Sequence, residues 1–269
     1  MTASDQKRAL ACAVKAARAA GRLMRQNLHA VKRANVTTQH DIKLELDVLC
    51  QKLIETTLAT AFPNVALLGE EGITGNPAAA RRWVVDPIDG TVNFAYGIPH
   101  ACVSIALQTK SSKLKSPTLI GEEYDTLVGV VYDPFCDELW TAIRGQPARL
   151  NGKIIHVSRR RHLREAIVSM GFAKSRKTLE YALPCFNHLV TKVRKVRMMG
   201  AAALAMTYVA TGRFDAYIES GIRLWDIAAG GLIVECAGGE FWREPIAGQY
   251  ACRTITSNGL LRKKLDLAG

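Results

Sequence analysis

The feature that most constrains this chain is a short apolar run that ends abruptly in acids and turn formers. Trp83-Val84-Val85 is followed by Asp86-Pro87-Ile88-Asp89-Gly90. The run has the composition of a buried strand, and Asp-Pro and Asp-Gly pairs favour turns, so the pattern predicts a strand that stops at Asp86. A turn built on Pro87 and Gly90 lets both carboxylates face one side, where one of them can bridge two metal ions about 3.5–4 Å apart. The Ile88 carbonyl lies between them as a further oxygen ligand. The amides of Gly90 and Thr91 come next, ahead of a short helical turn, where free N–H groups attract phosphate oxygens.

Two more acids stand at the ends of apolar segments. Glu70, in Gly69-Glu70-Glu71-Gly72, follows a strand-like run at 65–68, and Asp226 opens a helix after the loop at 221–225. Carboxylates at strand ends and helix starts converge on one cleft in α/β sheets. No His or Cys accompanies them, and oxygen-only ligation suits a hard cation such as Mg²⁺. Metals on one side and amides on the other make a phosphoryl-transfer site.

The rest of the chain reads as a frame for that site. Leu10, Val14, Ala17, Gly21, Met24 and Leu28 recur at steps of three and four, predicting a first helix capped by Ser4 or Asp5. Residues 7–33 are basic and free of acids, so an organellar leader is a rival reading, whereas the absence of a long apolar stretch argues against a secretory signal. A second helix is expected at 45–62 with Leu46, Leu49, Leu53, Thr57 and Ala61 inward. Further helices are expected at about 178–193, 201–210 and 226–237. Strands are expected at 103–107, 127–132, 138–142, 154–157, 167–170 and 214–219, and 73–82 reads as a loop. No repeat or linker interrupts this, so residues 1–269 read as one mixed α/β domain, long enough to bury its own core.

Composition narrows the setting. No apolar run approaches the roughly 18–20 residues needed to cross a bilayer, which argues against a membrane-spanning protein. Seven cysteines, dispersed and without C-x-x-C spacing, read as free thiols in a reducing compartment, so a cytoplasmic protein is expected. Lys and Arg number 36 against 24 Asp and Glu, a formal net charge of +12. The basic clusters, Arg159-Arg160-Arg161 among them, fit either a solvated surface or attraction for phosphorylated substrates or RNA.

The segment from Trp83 to Phe94, with Leu224-Trp225-Asp226-Ile227-Ala228-Ala229-Gly230 and Ala237-Gly238-Gly239, resembles the two signature motifs of the inositol monophosphatase family. Gly69-Glu70-Glu71-Gly72 is similar to its upstream acidic motif, and Asp41 with Asp47 falls where its first acidic pair lies. The likeness extends over essentially the whole chain. It implies a layered αβαβα sandwich, commonly dimeric, and Mg²⁺-dependent, often lithium-sensitive hydrolysis of phosphate monoesters with two to three ions per site.

Carried onto this sequence, the resemblance puts Glu70, Asp86 and the Ile88 carbonyl at one metal and Asp86, Asp89 and Asp226 at a second, with Glu70 also at a third, weaker ion. Thr91 with Asp47 would orient and deprotonate the attacking water. Gly90 and Thr91 would hold the phosphate, and Glu219 a substrate hydroxyl. Ile88, Asp89, Asp226 and the Gly200-Ala201-Ala202 segment complete the substrate side. The expected substrate is inositol monophosphate or a similar polyol phosphate, with fructose 1,6-bisphosphate, histidinol phosphate and 3′-phosphoadenosine 5′-phosphate as alternatives. The other class of function is an RNA- or transcription-complex-binding protein, with possible ribosomal partners, that retains the fold.

Overall fold

The computed structural model describes residues 1–31, 34–37, 42–111, 124–173, 175–246 and 250–265. Asp41, named in the sequence reading, lies outside the described residues. Helix α1 (Ala3–Asn27) begins at Thr2, whose side chain accepts the Asp5 N–H while Asp5 accepts the Thr2 N–H. The cap is therefore Thr2, and Asp5 is its partner in a reciprocal pair. Its buried stripe is almost all alanine, which brings the helix close to the sheet: a Cβ on Gly21 would lie 2.5 Å from the Tyr132 ring. Strands β1 (Ala34–Thr37) and β2 (Ile42–Leu44) pair as a small antiparallel ribbon leading into α2 (Glu45–Ala61).

The buried face of α2 is not the leucine stripe expected from the sequence. Asp47, Cys50, Gln51, Ile54 and Leu58 point inward, while Leu49 is 54% exposed and Leu53 also faces outward. Polar contacts made by Asp47 and Gln51, described below, fix the rotation of this helix.

The large sheet contains β3 (Ala66–Gly69), β4 (Gly72–Thr74), β5 (Arg81–Asp89), β6 (Cys102–Lys110), β7 (Tyr124–Asp133), β8 (Glu138–Ile143), β9 (Arg149–Leu150) and β10 (Lys153–Ile154). Its order is β10-β9-β8-β7-β6-β5-β3-β4, and between β5 and β6 lies the short helix α3 (Thr91–Ala95). The expected loop at 73–82 thus contains most of β4 and the start of β5, and of the expected strand at 154–157 only Ile154 is paired.

The smaller sheet is formed by β11 (Ile167–Phe172), β12 (Lys195–Arg197), β13 (Ala216–Arg223), β14 (Glu240–Pro245) and β15 (Ala251–Ser257), in the order β12-β11-β13-β15-β14. Helices α4 (Arg176–Val190), α5 (Ala202–Ala210), α6 (Leu224–Cys236) and α7 (Arg262–Leu265) complete the chain.

Three apolar clusters define the layers. α1 and α2 cover one face of the large sheet, α5 and α6 fill the space between the sheets, and α4 with α7 cover the far face of the small sheet. The result is helix, sheet, helix, sheet, helix, as the family resemblance implied. α5 and α6 sit between two sheets, so α5 and the middle of α6, from Ile227 to Val234, are apolar on every face. Among the described residues no helix is long and apolar enough to cross a membrane, and all seven cysteines are free.

Candidate active site

β5 does not stop at Asp86. Asp86 lies opposite Ser104 and Asp89 opposite Cys102, so three steps on β5 match two on β6. That is a β-bulge, with Pro87 inside it where a missing N–H is tolerated. The extra residue changes which way the acids face. Residues three apart on a regular strand point to opposite sides, whereas across this bulge Asp86 and Asp89 both face the middle helical layer and Ile88 enters the core on the other side. Gly90 then takes a left-handed φ of 93° to begin α3, and a Cβ there would sit 2.9 Å from the His100 carbonyl oxygen.

Other elements bring the remaining acids to this edge. β3 runs parallel to β5 with Gly69 beside Val85, and the Glu70 N–H donates to the Val85 carbonyl at 3.1 Å, placing Glu70 next to Asp86. Asp226 stands one turn into α6, where its Oδ2 accepts the Arg223 N–H at 2.9 Å. Asp47 holds the same place on α2, with Oδ2 accepting the Leu44 N–H at 3.1 Å. Each of these two acids thus ties one oxygen to its own helix start, which keeps the other available. For Asp47 the second oxygen accepts Thr91 Oγ1 at 3.1 Å. Thr91 Oγ1 also lies 2.9 Å from the Ile88 carbonyl, so one proton is shared between two acceptors.

The acids act on one another. Asp86 is buried and hydrogen-bonds with both Glu70 and Asp226, and burial followed by the Glu70 and Asp226 charges raises its pKa well above the usual carboxylate range. Burial, then Asp226 and Glu71, lifts Glu70 to about 8. Burial and Asp89 lift Asp226 to about 8. Burial brings Asp47 to about 7 against the lowering bond from Thr91, and Asp89 to about 6 against the Ala203 and Ala202 amides. No Lys or Arg among the described residues is one of the main charges acting on these acids, so a cation among them would be favoured.

A hard divalent cation fits that chemistry, since every side-chain donor is a carboxylate and the Ile88 carbonyl is an oxygen as well. Among the described residues no three His, Cys, Asp or Glu side chains already stand as a finished ligand set. Carboxylates this close repel one another unless protonated or bridged, and a divalent ion would supply the bridging charge.

Beside the acids lies a cavity of about 360 Å³, lined by Asp89, Gly200, Ala201, Ala202 and Glu219, with Met198, Met199, Phe172 and Ile222 as its apolar wall. Of the substrate-side residues expected from the sequence, Asp89, Gly200, Ala201, Ala202 and Glu219 share this hollow, whereas Ile88, Gly90, Thr91 and Asp226 do not line it. Glu70, Asp86 and Asp226 do not line it; they gather beyond Asp89. Ala202 and Ala203 N–H donate to Asp89 at 3.0 and 2.7 Å, and Cys102 Sγ lies 3.5 Å from Asp89 Oδ2. Glu219 lies across Gly171 of the neighbouring strand, where any Cβ would meet Glu219 Oε2 at 2.0 Å. Burial raises Glu219 to about 7, opposed by its hydrogen bond from the Tyr217 hydroxyl.

Several residues at this edge carry no assignment in the sequence reading. Tyr217 orients Glu219, and Asn93 Nδ2 ties the Met199 and His100 carbonyls at 2.8 and 2.9 Å, steadying the Gly200 turn. Gln51 holds the Glu70 turn. The signal for two of them was spacing: Tyr217 is two residues before Glu219 on a strand, and Gln51 four after Asp47 on a helix, so each pair shares a face. Asp47 itself, unremarkable on an exposed helix, is only 1% exposed. Trp225 packs against Tyr250, and His100 is half-buried against Tyr208.

The chain matches the model of the inositol monophosphatase family over residues 5–249. It is 39% identical over 238 residues to the Xylella fastidiosa protein named Nus factor SuhB, covering 87% of this chain and 81% of that one. Inositol monophosphatase 1 of Solanum lycopersicum is 39% identical over 241 residues, covering 86% and 82% respectively. Among solved structures, the extragenic suppressor protein suhB from Bartonella henselae superimposes with a TM-score of 0.84 at 32% identity, over 94% of this chain and 95% of that chain.

Proposed function

The chain belongs to the inositol monophosphatase family, and from that premise we propose that it hydrolyses phosphate monoesters with Mg²⁺, its substrate being inositol monophosphate or a similar small polyol phosphate. The observation that carries the reading is the meeting of Glu70, Asp86 and Asp226, hydrogen-bonded acids whose pKa values burial lifts above the usual carboxylate range, beside a cavity floored by Asp89 and Glu219.

Glu70, Asp86, Asp89, Asp226 and the Ile88 carbonyl are the groups that would hold two to three ions. When bound, Mg²⁺ supplies charge neutralisation at the phosphoryl oxygens and acidifies water. The chain's own residues do the rest. Asp47, near 7, has the affinity of a general base working at neutral pH, and Thr91 Oγ1, already bonded to it, relays or orients the water proton toward it. Gly90 and the Thr91 amide would hold the phosphate. Glu219, with one oxygen engaged by Tyr217, offers the other to a hydroxyl of the leaving group. A second phosphate there would meet a carboxylate, which favours a neutral, hydroxyl-rich alcohol.

The test is phosphate release from inositol monophosphate, fructose 1,6-bisphosphate, histidinol phosphate and 3′-phosphoadenosine 5′-phosphate, with Mg²⁺ titrated from zero. Release that requires Mg²⁺ and prefers the cyclitol is expected. Undiminished release in chelator overturns the chemistry, and preference for the nucleotide or bisphosphate overturns the substrate.

A second reading draws on the +12 charge and on relatives that carry the name Nus factor SuhB. It has the basic surface binding RNA or a transcription complex while the fold is retained. RNA binding that persists in Asp86→Asn and weakens steeply with salt supports it; no binding at moderate salt removes it.

A further inference from the structure

Glu70 opens a turn whose first half is held to β5 by the Glu70 N–H on the Val85 carbonyl. β3 and β4 pair with Gly69 opposite Gly72, so Glu70 and Glu71 form the tip of a two-residue turn. β3 is buried, but β4 is the edge strand of the large sheet and all three of its residues are exposed, so burial anchors only the incoming half of this hairpin. The second half is tied from α2. Gln51, 6% exposed, accepts the Glu71 N–H on Oε1 at 2.9 Å and donates from Nε2 to the Gly72 carbonyl at 3.1 Å. Both ends of one amide are used on the backbone of one turn. The fit is tight, because a Cβ on Gly69 would lie 2.2 Å from Gln51 Oε1.

The contact belongs to a row. Asp47, Gln51 and Glu55 follow one another at helical steps of four on α2. Asp47 Oδ1 meets Thr91, Gln51 meets the Glu70 turn, and Glu55 Oε1 accepts Thr74 Oγ1 of β4 at 2.7 Å. One helix face therefore sets the distance between the Asp47–Thr91 pair and the Glu70 carboxylate. We propose that Gln51 is a positioning residue which, by clamping the Gly69–Gly72 turn from α2, sets the affinity of the Glu70 end of the acidic cluster for its divalent cation. This rests on the Mg²⁺-dependent reading above.

Gln51 touches neither cation nor substrate; it acts through Glu70. Removing its amide loosens the Glu71–Gly72 half of the turn, so the Glu70 carboxylate is less firmly placed when an ion binds. Loss of such an outer partner weakens metal affinity about 10- to 100-fold. The experiment measures Mg²⁺ binding to the whole protein by calorimetry, beside the Mg²⁺ dependence of phosphate release, in wild type, Gln51→Leu and Leu58→Ala. Leu58 is buried on the same helix, away from the turn, and serves as a control that lowers the melting temperature. The expected result is a rise of about tenfold or more in the half-saturating Mg²⁺ concentration for Gln51→Leu, largely recovered turnover at saturating Mg²⁺, and unchanged Mg²⁺ affinity in Leu58→Ala.

Wild-type Mg²⁺ affinity in Gln51→Leu overturns the proposal, and so does an equal loss in Leu58→Ala, which would make the effect one of general stability. Should Gln51→Leu fail to fold, Gln51→Met removes the same two hydrogen bonds with an unbranched side chain and is read by the same outcomes. A wild-type protein that binds no Mg²⁺ strikes instead at the proposed function.

Discussion

Asp89 caps a helix that starts far along the chain: its two carboxylate oxygens take the N–H groups of Ala202 and Ala203, 113 and 114 residues away, at 3.0 and 2.7 Å. A residue proposed to hold metal thus also fastens α5 between the sheets. Asparagine has one acceptor oxygen and would turn an NH₂ toward a helix N–H, leaving donors opposed in a buried place. Asp86→Asn removes the same charge from the cluster but no helix cap, and its carbonyl still accepts the Ile88 N–H. In chelator, Asp89→Asn should therefore be less stable than Asp86→Asn by about 1–3 kcal/mol. Equal denaturation midpoints for the two variants would remove the capping role.

The clustered acids make stability depend on pH in an unusual direction. Asp89, Asp47, Glu219, Glu70 and Asp226 sit at about 6, 7, 7, 8 and 8, against ordinary values of 3.8 for Asp and 4.5 for Glu. Between about pH 4 and pH 8 the folded chain holds protons that the unfolded chain has released, so stability falls as pH rises through that window. In chelator the melting temperature should drop by about 5 °C or more from pH 5 to pH 8. Mg²⁺, taking the place of those protons, should stabilise the protein more at pH 8 than at pH 5. A melting temperature that stays flat or climbs over this range without metal contradicts the account.

Much of this architecture was legible in the sequence, and the exceptions have physical causes. The alternation of apolar runs and helical stripes located most of the large sheet and the main helices. The acids of the site were visible because carboxylates at the ends of apolar segments need a partner. The continuation of β5 to Asp89 was not visible, since a bulge is a property of the pairing with β6 and not of Asp-Pro-Ile-Asp itself. β12, β14 and β15 carry mixed polar sequences at the small sheet and gave no periodic signal. The rotation of α2 was misread because the leucines outnumber the inward polar groups, although Asp47 and Gln51, being engaged, decide which side is buried.

That rotation is open to a direct comparison. Leu49→Lys replaces an apolar residue that is 54% exposed and should change stability by no more than about 0.5 kcal/mol. Ile54→Ala empties a fully buried position and should cost about 2–5 kcal/mol. Urea titrations of both variants decide it. The leucine-inward arrangement would reverse the order.

The shared proton of Thr91 gives a kinetic signature. Thr91→Val keeps the branched shape and removes the hydroxyl that bonds Asp47 and lowers its pKa. Turnover should fall about 10²- to 10⁴-fold, the range for losing positioned proton transfer. The acid limb of the remaining pH–rate profile should also move upward, because Asp47 loses a bond that favours its charged form. An unshifted acid limb would separate Asp47 from the rate.

Specificity for the leaving group turns on Tyr217 and Glu219. The tyrosine hydroxyl donates to Glu219 Oε2, and Gly171 leaves the space in which that carboxylate lies. Tyr217→Phe removes the donor alone, so Glu219 keeps its place on the strand but loses the bond that orients it and holds its pKa down. A substrate that uses a hydroxyl on Glu219 should then bind less well, with KM for inositol monophosphate rising about 5- to 10-fold for one lost charge-assisted bond acting at second hand. An aryl phosphate with no hydroxyl on its leaving group should be hydrolysed by the variant as by the wild type. Tyr217 orients the polyol-reading carboxylate if the two substrates respond differently, and merely fills space between the sheets if both slow together.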